Sequence, residues 1–249
     1  MEHMKKIIQI TTIILLSVSC TNDEIVKRTE EDTCYLSEYT ASNSESFTFR
    51  MENNKLVETG YGTNSSPTNF TYDDKGYIIK SEGPNFEEKY YYNSANKIVK
   101  SETYSYGVLV ERREYLYDSD GNIRKYLASF NLDQQVQSYV EDHYEYKDEN
   151  RVKTISYVYS SDNMNKADSV VINKKFDDKK NPYNTLNYSY SIYDKNNPIE
   201  ITYSGDNSEN NTVISYTYNE NGYPITYETT YVNRTEYPVV TGEYKYTCP

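Results

Sequence analysis

The sequence predicts an all-β protein, an antiparallel meander of repeated β-hairpins that forms an open or partly curled sheet. The main observation is a short unit, aromatic-x-aromatic-Asp/Asn-x-x-Gly/Asn-x-Ile/Val, with clear copies beginning at Phe70, Tyr90 and Tyr115. The second observation is composition, since 31 of the 249 residues are Tyr and none is Trp. The mean hydropathy of −0.90 is typical of a disordered chain, but disordered chains are poor in aromatic residues.

The chain begins with the features of an export signal. Lys5 and Lys6 precede an apolar run of about twelve residues, which is too short to span a bilayer. Residues 16–20, Leu-Ser-Val-Ser-Cys, resemble the lipobox of bacterial lipoproteins, in which the Cys is acylated and becomes the first residue of the mature protein. The resemblance implies a signal peptide over residues 1–19 and lipidation of Cys20. The alternative is an ordinary signal peptide that ends near a Cys.

Residues 20–33 are predicted to be an acidic, flexible tether, because they are polar and show no apolar period. Residues 34–249 are then a single β domain. Within it, the segment 131–141 has apolar residues at a spacing that fits either a helix or a strand, and the surrounding repeats favour a strand.

Each copy of the unit is interpreted as a β-hairpin. Its two aromatic side chains share one face of a strand, because side chains alternate along a strand. The Asp or Asn that follows accepts hydrogen bonds from the turn backbone. Three residues later, Gly or Asn suits the positive φ that closes the loop. The turn positions predicted in this way are Gly76, Asn96, Gly121, Asn150, Asn197 and Gly222.

The unit resembles the YD repeat of Rhs-type proteins, and the whole chain resembles a family of small Gram-negative lipoproteins with such repeats. The resemblance covers roughly residues 45–247. In the larger Rhs proteins the repeats form a long sheet that curls into a hollow shell. For this shorter chain the resemblance implies an open or partly curled sheet, and it implies no catalytic residue.

Several kinds of chemistry are excluded by the composition. The 26 Lys and Arg against 38 Asp and Glu give a net charge of −12, which opposes nucleic-acid binding. His143 alternates with the aromatic face of its strand and is expected to face solvent rather than to act as a base. Residues 118–122, Asp-Ser-Asp-Gly-Asn, lack the spacing of a calcium loop. We therefore predict no catalytic residue, no metal site and no cofactor.

Two cysteines remain once Cys20 carries a lipid. Cys34 and Cys248 form an even pair in a compartment outside the cytoplasm, where disulfides persist. They lie at opposite ends of the repeats, so a straight sheet would hold them much farther apart than a disulfide spans. The sequence leaves two alternatives open: a Cys34–Cys248 bridge, which requires curling, or two unpaired thiols.

These observations predict a lipid-anchored protein of the outer membrane, on its cell-surface or periplasmic side, that is a non-enzymatic binding or structural module. Its partners would be the membrane, through the N-terminal lipid, and a glycan or protein ligand on a face lined by Tyr. The alternative is an envelope hydrolase whose carboxylate site the sequence does not reveal.

Overall fold

The computed structural model describes residues 34–43, 46–62, 66–130, 138–160, 168–186 and 194–248. In chain order, the strands are β1 Tyr35–Ala41, β2 Phe47–Glu52, β3 Lys55–Tyr61, β4 Thr68–Tyr72, β5 Ile78–Gly83, β6 Phe86–Tyr92, β7 Ile98–Ser105, β8 Val108–Tyr117, β9 Ile123–Phe130, β10 Ser138–Lys147, β11 Asn150–Ser160, β12 Asp168–Lys180, β13 Asn196–Tyr203, β14 Thr212–Tyr218, β15 Pro224–Tyr231 and β16 Val240–Thr247. Two 3₁₀ helices, Pro182–Leu186 and Gly205–Asn210, follow β12 and β13.

The meander closes on itself. Each of these described strands pairs antiparallel with the next, and β16 pairs with β1 to complete a barrel. Six residue pairs hold this seam, and they run from Tyr35↔Thr247 to Ala41↔Gly242. Beside the seam, a disulfide joins Cys34 to Cys248, with their Cα atoms 4.1 Å apart.

The prediction of an open or partly curled sheet is therefore wrong, because the sheet is a closed barrel. Closure gives the backbone N–H and C=O groups of the first and last strands hydrogen-bonding partners, which an open sheet would leave exposed along two edges. The recurring unit predicts only the local hairpin. It carries no information about whether β1 meets β16.

The repeat turns all lie at one end of the barrel, because every second connection of an antiparallel meander returns to the same end. We call this the turn end; it holds the connections that follow even-numbered strands, and the loop end holds those that follow odd-numbered strands. In four repeat turns an Asp or Asn side chain accepts hydrogen bonds from two backbone N–H groups. These residues are Asp73, Asn93, Asp118 and Asn219.

The second aromatic residue of the unit has a structural use that explains part of the Tyr content. Near the turn end its hydroxyl donates a hydrogen bond to a backbone carbonyl at the start of the preceding strand. The bonds are Tyr72 to Leu56, Tyr92 to Ile78, Tyr117 to Ile98, Tyr146 to Ile123 and Tyr246 to Pro224, at 2.6–3.1 Å. At these five places the second aromatic residue therefore links its strand to the neighbouring hairpin.

Four of the predicted turn positions have positive φ, with values of 90° at Gly76, 57° at Asn96, 88° at Gly121 and 78° at Gly222.

The predictions for Asn150 and Asn197 are wrong. At the first site a two-residue turn places positive φ at Asp148 and Glu149 instead, and Asn150 begins β11. Asn197 lies within β13, where its backbone N–H donates to Asp177. Asp148–Glu149 form the tighter type of hairpin turn, in which both central residues need φ > 0.

We expect Gly121→Val to lower the free energy of unfolding by ~1–3 kcal/mol, because a β-branched residue is strained at positive φ. A Cβ at this position would also collide with Lys97 Nζ, which donates to the Gly121 carbonyl. Gly222→Val is the matched control for strain alone, since nothing lies within 4 Å of its Cβ position. Gly121→Asn should lower the free energy of unfolding less, because Asn96 adopts a positive φ at the equivalent position of another repeat turn. Equal melting temperatures for Gly121→Val and Gly121→Asn would contradict the role of this turn.

The inner face of the barrel carries two hydrophobic clusters. One contains Ile78, Tyr90, Ile98 and Tyr115. The other contains Leu36, Leu56 and Leu186.

The outer face, by contrast, is rich in charged side chains that pair within a strand or across neighbouring strands. These pairs are Arg50–Glu58, Lys80–Glu82, Lys100–Glu102, Lys125–Glu141, Lys153–Glu145, Lys175–Glu200 and Lys245–Glu38. The outer wall therefore combines ion pairs with exposed apolar side chains such as Leu116.

Glu102 is the most enclosed carboxylate of this outer wall, with 8% of its side chain exposed. It accepts hydrogen bonds from the hydroxyls of Tyr91 and Tyr104 at 2.8 and 3.1 Å, from the Arg112 guanidinium at 3.0 Å and from Lys100 at 3.1 Å. Burial opposes ionisation of Glu102, but these hydrogen bonds outweigh it and lower the pKa of its carboxyl to about 2.

A lowered pKa means that Glu102 stabilises the barrel in its ionised form. This contribution is present above the ordinary pKa of 4.5 and is lost as the pH falls toward 2. We expect Glu102→Gln to reduce the loss of stability between these pH values, as measured by urea denaturation at a series of pH values. Glu82→Gln, at a more exposed outer position, is the control. Parallel profiles for wild type and Glu102→Gln would contradict this expectation.

Candidate functional site

A cavity of about 370 Å³ lies beside the 3₁₀ helix Pro182–Leu186, near the turn end. The tyrosines of its wall come from β14, β16 and the 3₁₀ helix. Its polar wall comes from β11 and from the ends of the β12–β13 connection. The residues used below are Arg151, Asp194, Tyr183, Tyr216 and Tyr244.

The β12–β13 connection shapes this cavity because its 3₁₀ helix packs inward. Leu186 joins Leu36 and Leu56 in a buried cluster. The backbone N–H of Leu36 donates to Thr185 Oγ1 at 2.8 Å, and the same hydroxyl donates to the Pro182 carbonyl at 2.7 Å. The helix is therefore fixed to β1 by both apolar and polar contacts.

Charged groups beside the cavity form a cluster of ion pairs. Asp194 Oδ2 lies 3.1 Å from Lys174 Nζ and 3.7 Å from Arg151 Nη2, so two cations share one carboxylate. Asp194 Oδ1 also accepts a hydrogen bond from the Arg151 backbone N–H at 2.8 Å. Burial of Lys174, aided by the nearby Arg151, lowers the pKa of its ammonium group, although Asp194 opposes the shift.

Arg151 also has an unused donor. Its Nε is buried and has no hydrogen-bond partner among the described residues, although its guanidinium lies over the Tyr144 ring at 5.0 Å. A buried donor without a partner costs free energy.

The aromatic wall supplies neutral groups. Burial is the main cause that raises the pKa of Tyr216 and Tyr244, so both hydroxyls keep their protons at neutral pH. The Tyr216 hydroxyl donates to the Pro198 carbonyl at 3.2 Å. These rings offer flat apolar surface next to the Arg151–Asp194 pair.

The sequence-predicted residues lie elsewhere. Cys20 and the signal peptide lie outside the described residues, so their assignment stays a prediction. His143 has its Nε2 2.6 Å from Glu141 Oε1 on the outer wall, and its side chain is 44% exposed. Within the described residues, no group of three or more His, Cys, Asp or Glu side chains could hold a metal ion.

Sequence reasoning missed Arg151 and Lys174, although one signal for Lys174 was present. Val170 and Ile172 alternate along β12, and Lys174 takes the next position on the same face. A charged residue that interrupts an alternating apolar row indicates a buried polar site. Arg151, in contrast, occupies a variable position of the repeat, and only the structure shows that its side chain points to the cavity.

No helix in the described part of the chain is long and apolar enough to cross a membrane. No family model and no curated protein matches the sequence.

Solved structures that share the fold include two porin-like proteins. One is a porin-like protein from Bacteroides vulgatus, with a TM-score of 0.58 and 11% identity over 86% of this chain and 98% of that chain. The other is a porin-like protein from Bacteroides uniformis, with a TM-score of 0.54 and 9% identity over 86% and 95% of the two chains. Identity this low supports a shared fold alone.

These neighbours overturn two predictions. The fold is that of porin-like proteins rather than of YD-repeat proteins, so the resemblance to Rhs-type proteins was wrong. The prediction of a lipid-anchored repeat module is wrong for the same reason. The physical reason is that the unit encodes a turn and a pair of inward aromatic residues, which serve a closed antiparallel barrel as well as a repeat sheet.

Proposed function

We propose that this protein is a barrel of the cell envelope that binds a small anionic solute in the cavity beside Arg151. The observation that carries the proposal is the Arg151 side chain in the cavity wall, whose buried Nε has no partner among the described residues. A carboxylate or phosphate oxygen would accept from the Arg151 guanidinium in a charge-assisted hydrogen bond.

The dimensions of the cavity support a small ligand. Its volume of about 370 Å³ lies at the lower end of the roughly 300–1,000 Å³ that small-molecule sites occupy. Tyr183, Tyr216 and Tyr244 line it with aromatic surface. An anion with a ring that stacks on Tyr, such as an aromatic carboxylate or a sugar acid, would use both walls.

Two observations support a location in the envelope at the outer membrane. The neighbours of this fold are described as porin-like. The Cys34–Cys248 disulfide is of a kind that persists in oxidising compartments.

A porin-type channel is the second candidate, and the descriptions of the two neighbours favour it. A barrel that spans the outer membrane needs an outward apolar band about 25 Å tall. Here the outward positions instead carry ion pairs such as Lys125–Glu141 and Lys153–Glu145, and hydrophobic clusters fill parts of the interior. We therefore propose that the barrel lies against the outer membrane rather than across it.

The test is calorimetric titration with glucuronate, 4-hydroxybenzoate and inorganic phosphate. We expect at least one of these anions to bind the wild type, and we expect Arg151→Gln to weaken that binding at least tenfold. Arg50→Gln, on the outer wall, is the matched control, and thermal melts establish that each variant is folded. Binding of no anion, or equal binding by folded Arg151→Gln, would refute the proposal. Stepwise conductance in a planar lipid bilayer would favour the channel instead.

A further inference from the structure

A second cleft, of about 450 Å³, lies at the loop end, between the turns that join β5 to β6 and β7 to β8. Its walls include Asn85, Glu87, Lys89, Tyr104 and Tyr106. The two turns are joined by a hydrogen bond from the Tyr106 N–H to the Asn85 carbonyl at 3.2 Å. This bond holds the two turns to each other, and the cleft lies at the opposite end of the barrel from Arg151.

Tyr106 is an unusual residue for its position. It has a φ of 48° and precedes Gly107, with a φ of 80°, in a two-residue turn whose first position favours Asn or Asp. A bulky residue at positive φ is strained. Packing does not offset this strain, because 80% of Tyr106 is exposed. The chain thus displays an aromatic ring where a smaller polar residue would give a more stable turn.

The charged side chains near this ring are one carboxylate, Glu87, and one ammonium group, Lys89, and their charges balance. Glu87 Oε1 lies 2.8 Å from Lys89 Nζ, and Lys89 Nζ lies 4.8 Å from the centre of the Tyr104 ring. The Glu87 and Lys89 side chains are 36% and 45% exposed, so their hydrogen-bonding groups are accessible. A balanced pair gives no electrostatic preference for an anion or a cation. It suits a neutral ligand that carries many hydroxyl groups.

We propose that this cleft binds a neutral sugar ring, such as a hexose unit of a glycan. The exposed face of Tyr106 would stack on the apolar C–H face of the pyranose, as Tyr offers flat apolar area with a polar tip. Glu87 would accept hydrogen bonds from sugar hydroxyls, and Lys89 would donate to others. This site is independent of the anion site, since no residue of the two walls is shared.

The test is affinity electrophoresis of the folded protein in native gels that contain dextran, mannan or galactomannan. We expect at least one of these neutral polysaccharides to retard the wild type. For Tyr106→Asn, we expect the polysaccharide concentration that gives the same retardation to be at least tenfold higher. The barrel should remain as stable as in the wild type or become more stable. Loss of binding without loss of stability is a result that a purely structural role for Tyr106 would not give.

Two further variants complete the test. Tyr237→Ala removes another exposed ring at the loop end and should leave retardation unchanged. Arg151→Gln should also leave it unchanged, which separates this site from the anion site. Retardation by none of the three polysaccharides, or equal retardation of Tyr106→Asn and wild type, would overturn the proposal.

Discussion

Replacement of both Cys34 and Cys248 by Ser should lower the free energy of unfolding by up to about 5 kcal/mol. The bridge links residues 214 positions apart, and the entropy that a crosslink removes from the unfolded chain rises with loop length. The six residue pairs between β1 and β16 should keep the barrel closed, so we expect the far-ultraviolet circular dichroism to remain unchanged.

Urea denaturation in a Cys20→Ser background measures this effect without interference from a third thiol. Addition of reductant to the protein that retains both cysteines is the matched control, and it should give the same loss of stability. A midpoint unchanged in both experiments would contradict the stabilising role of the bridge.

Leu186→Ala should cost ~2–5 kcal/mol, the range for large-to-small changes in a well-packed core. Leu186 is 1% exposed and packs with Leu36 and Leu56, so its truncation opens a cavity in the centre of that cluster. The control is Leu116→Ala, on the outer wall, where the residue is 43% exposed. Both variants are compared with the wild type in urea. Similar losses in the two variants would show that the 3₁₀ helix does not anchor this end of the barrel.

Local structure could be predicted from the sequence because it depends on a few neighbouring residues. Gly76, Asn96, Gly121 and Gly222 have the positive φ that a bulged hairpin turn needs. The same rule failed at Asn150, where Asp148 and Glu149 make a shorter turn and the Asn side chain instead donates to Asn196. Asn tolerates positive φ but does not require it, so its presence alone cannot locate a turn.

Closure could not be predicted in the same way. It depends on the pairing of Tyr35–Ala41 with Val240–Thr247, which are separated by almost the whole described chain. Strand twist and register offset add up over all the intervening strands, and no short sequence pattern determines their total. The cysteine pair was the one sequence feature that bore on this question, and the sequence left its pairing open.

The candidate sites depend on tertiary structure even more strongly. Arg151 lies on β11 and Asp194 just before β13, and nothing in the repeat pattern indicates that these two residues meet. The surplus of Tyr also has a structural explanation in part, because hydroxyls such as those of Tyr72 and Tyr92 bond to the preceding strand. Tyr106 lies away from these bonds, at the loop end, and 80% of it is exposed.

The meeting of β1 and β16 has a consequence for chain connectivity. The Cα atoms of Cys34 and Cys248 are 4.1 Å apart, close to the spacing of consecutive residues in a polypeptide. A circular permutant that joins these positions by a short linker and opens at Gly205, in the exposed β13–β14 connection, would retain every strand pair of the wild type. The barrel is therefore a ring of neighbouring hairpins, and its architecture does not depend on which hairpin the ribosome makes first.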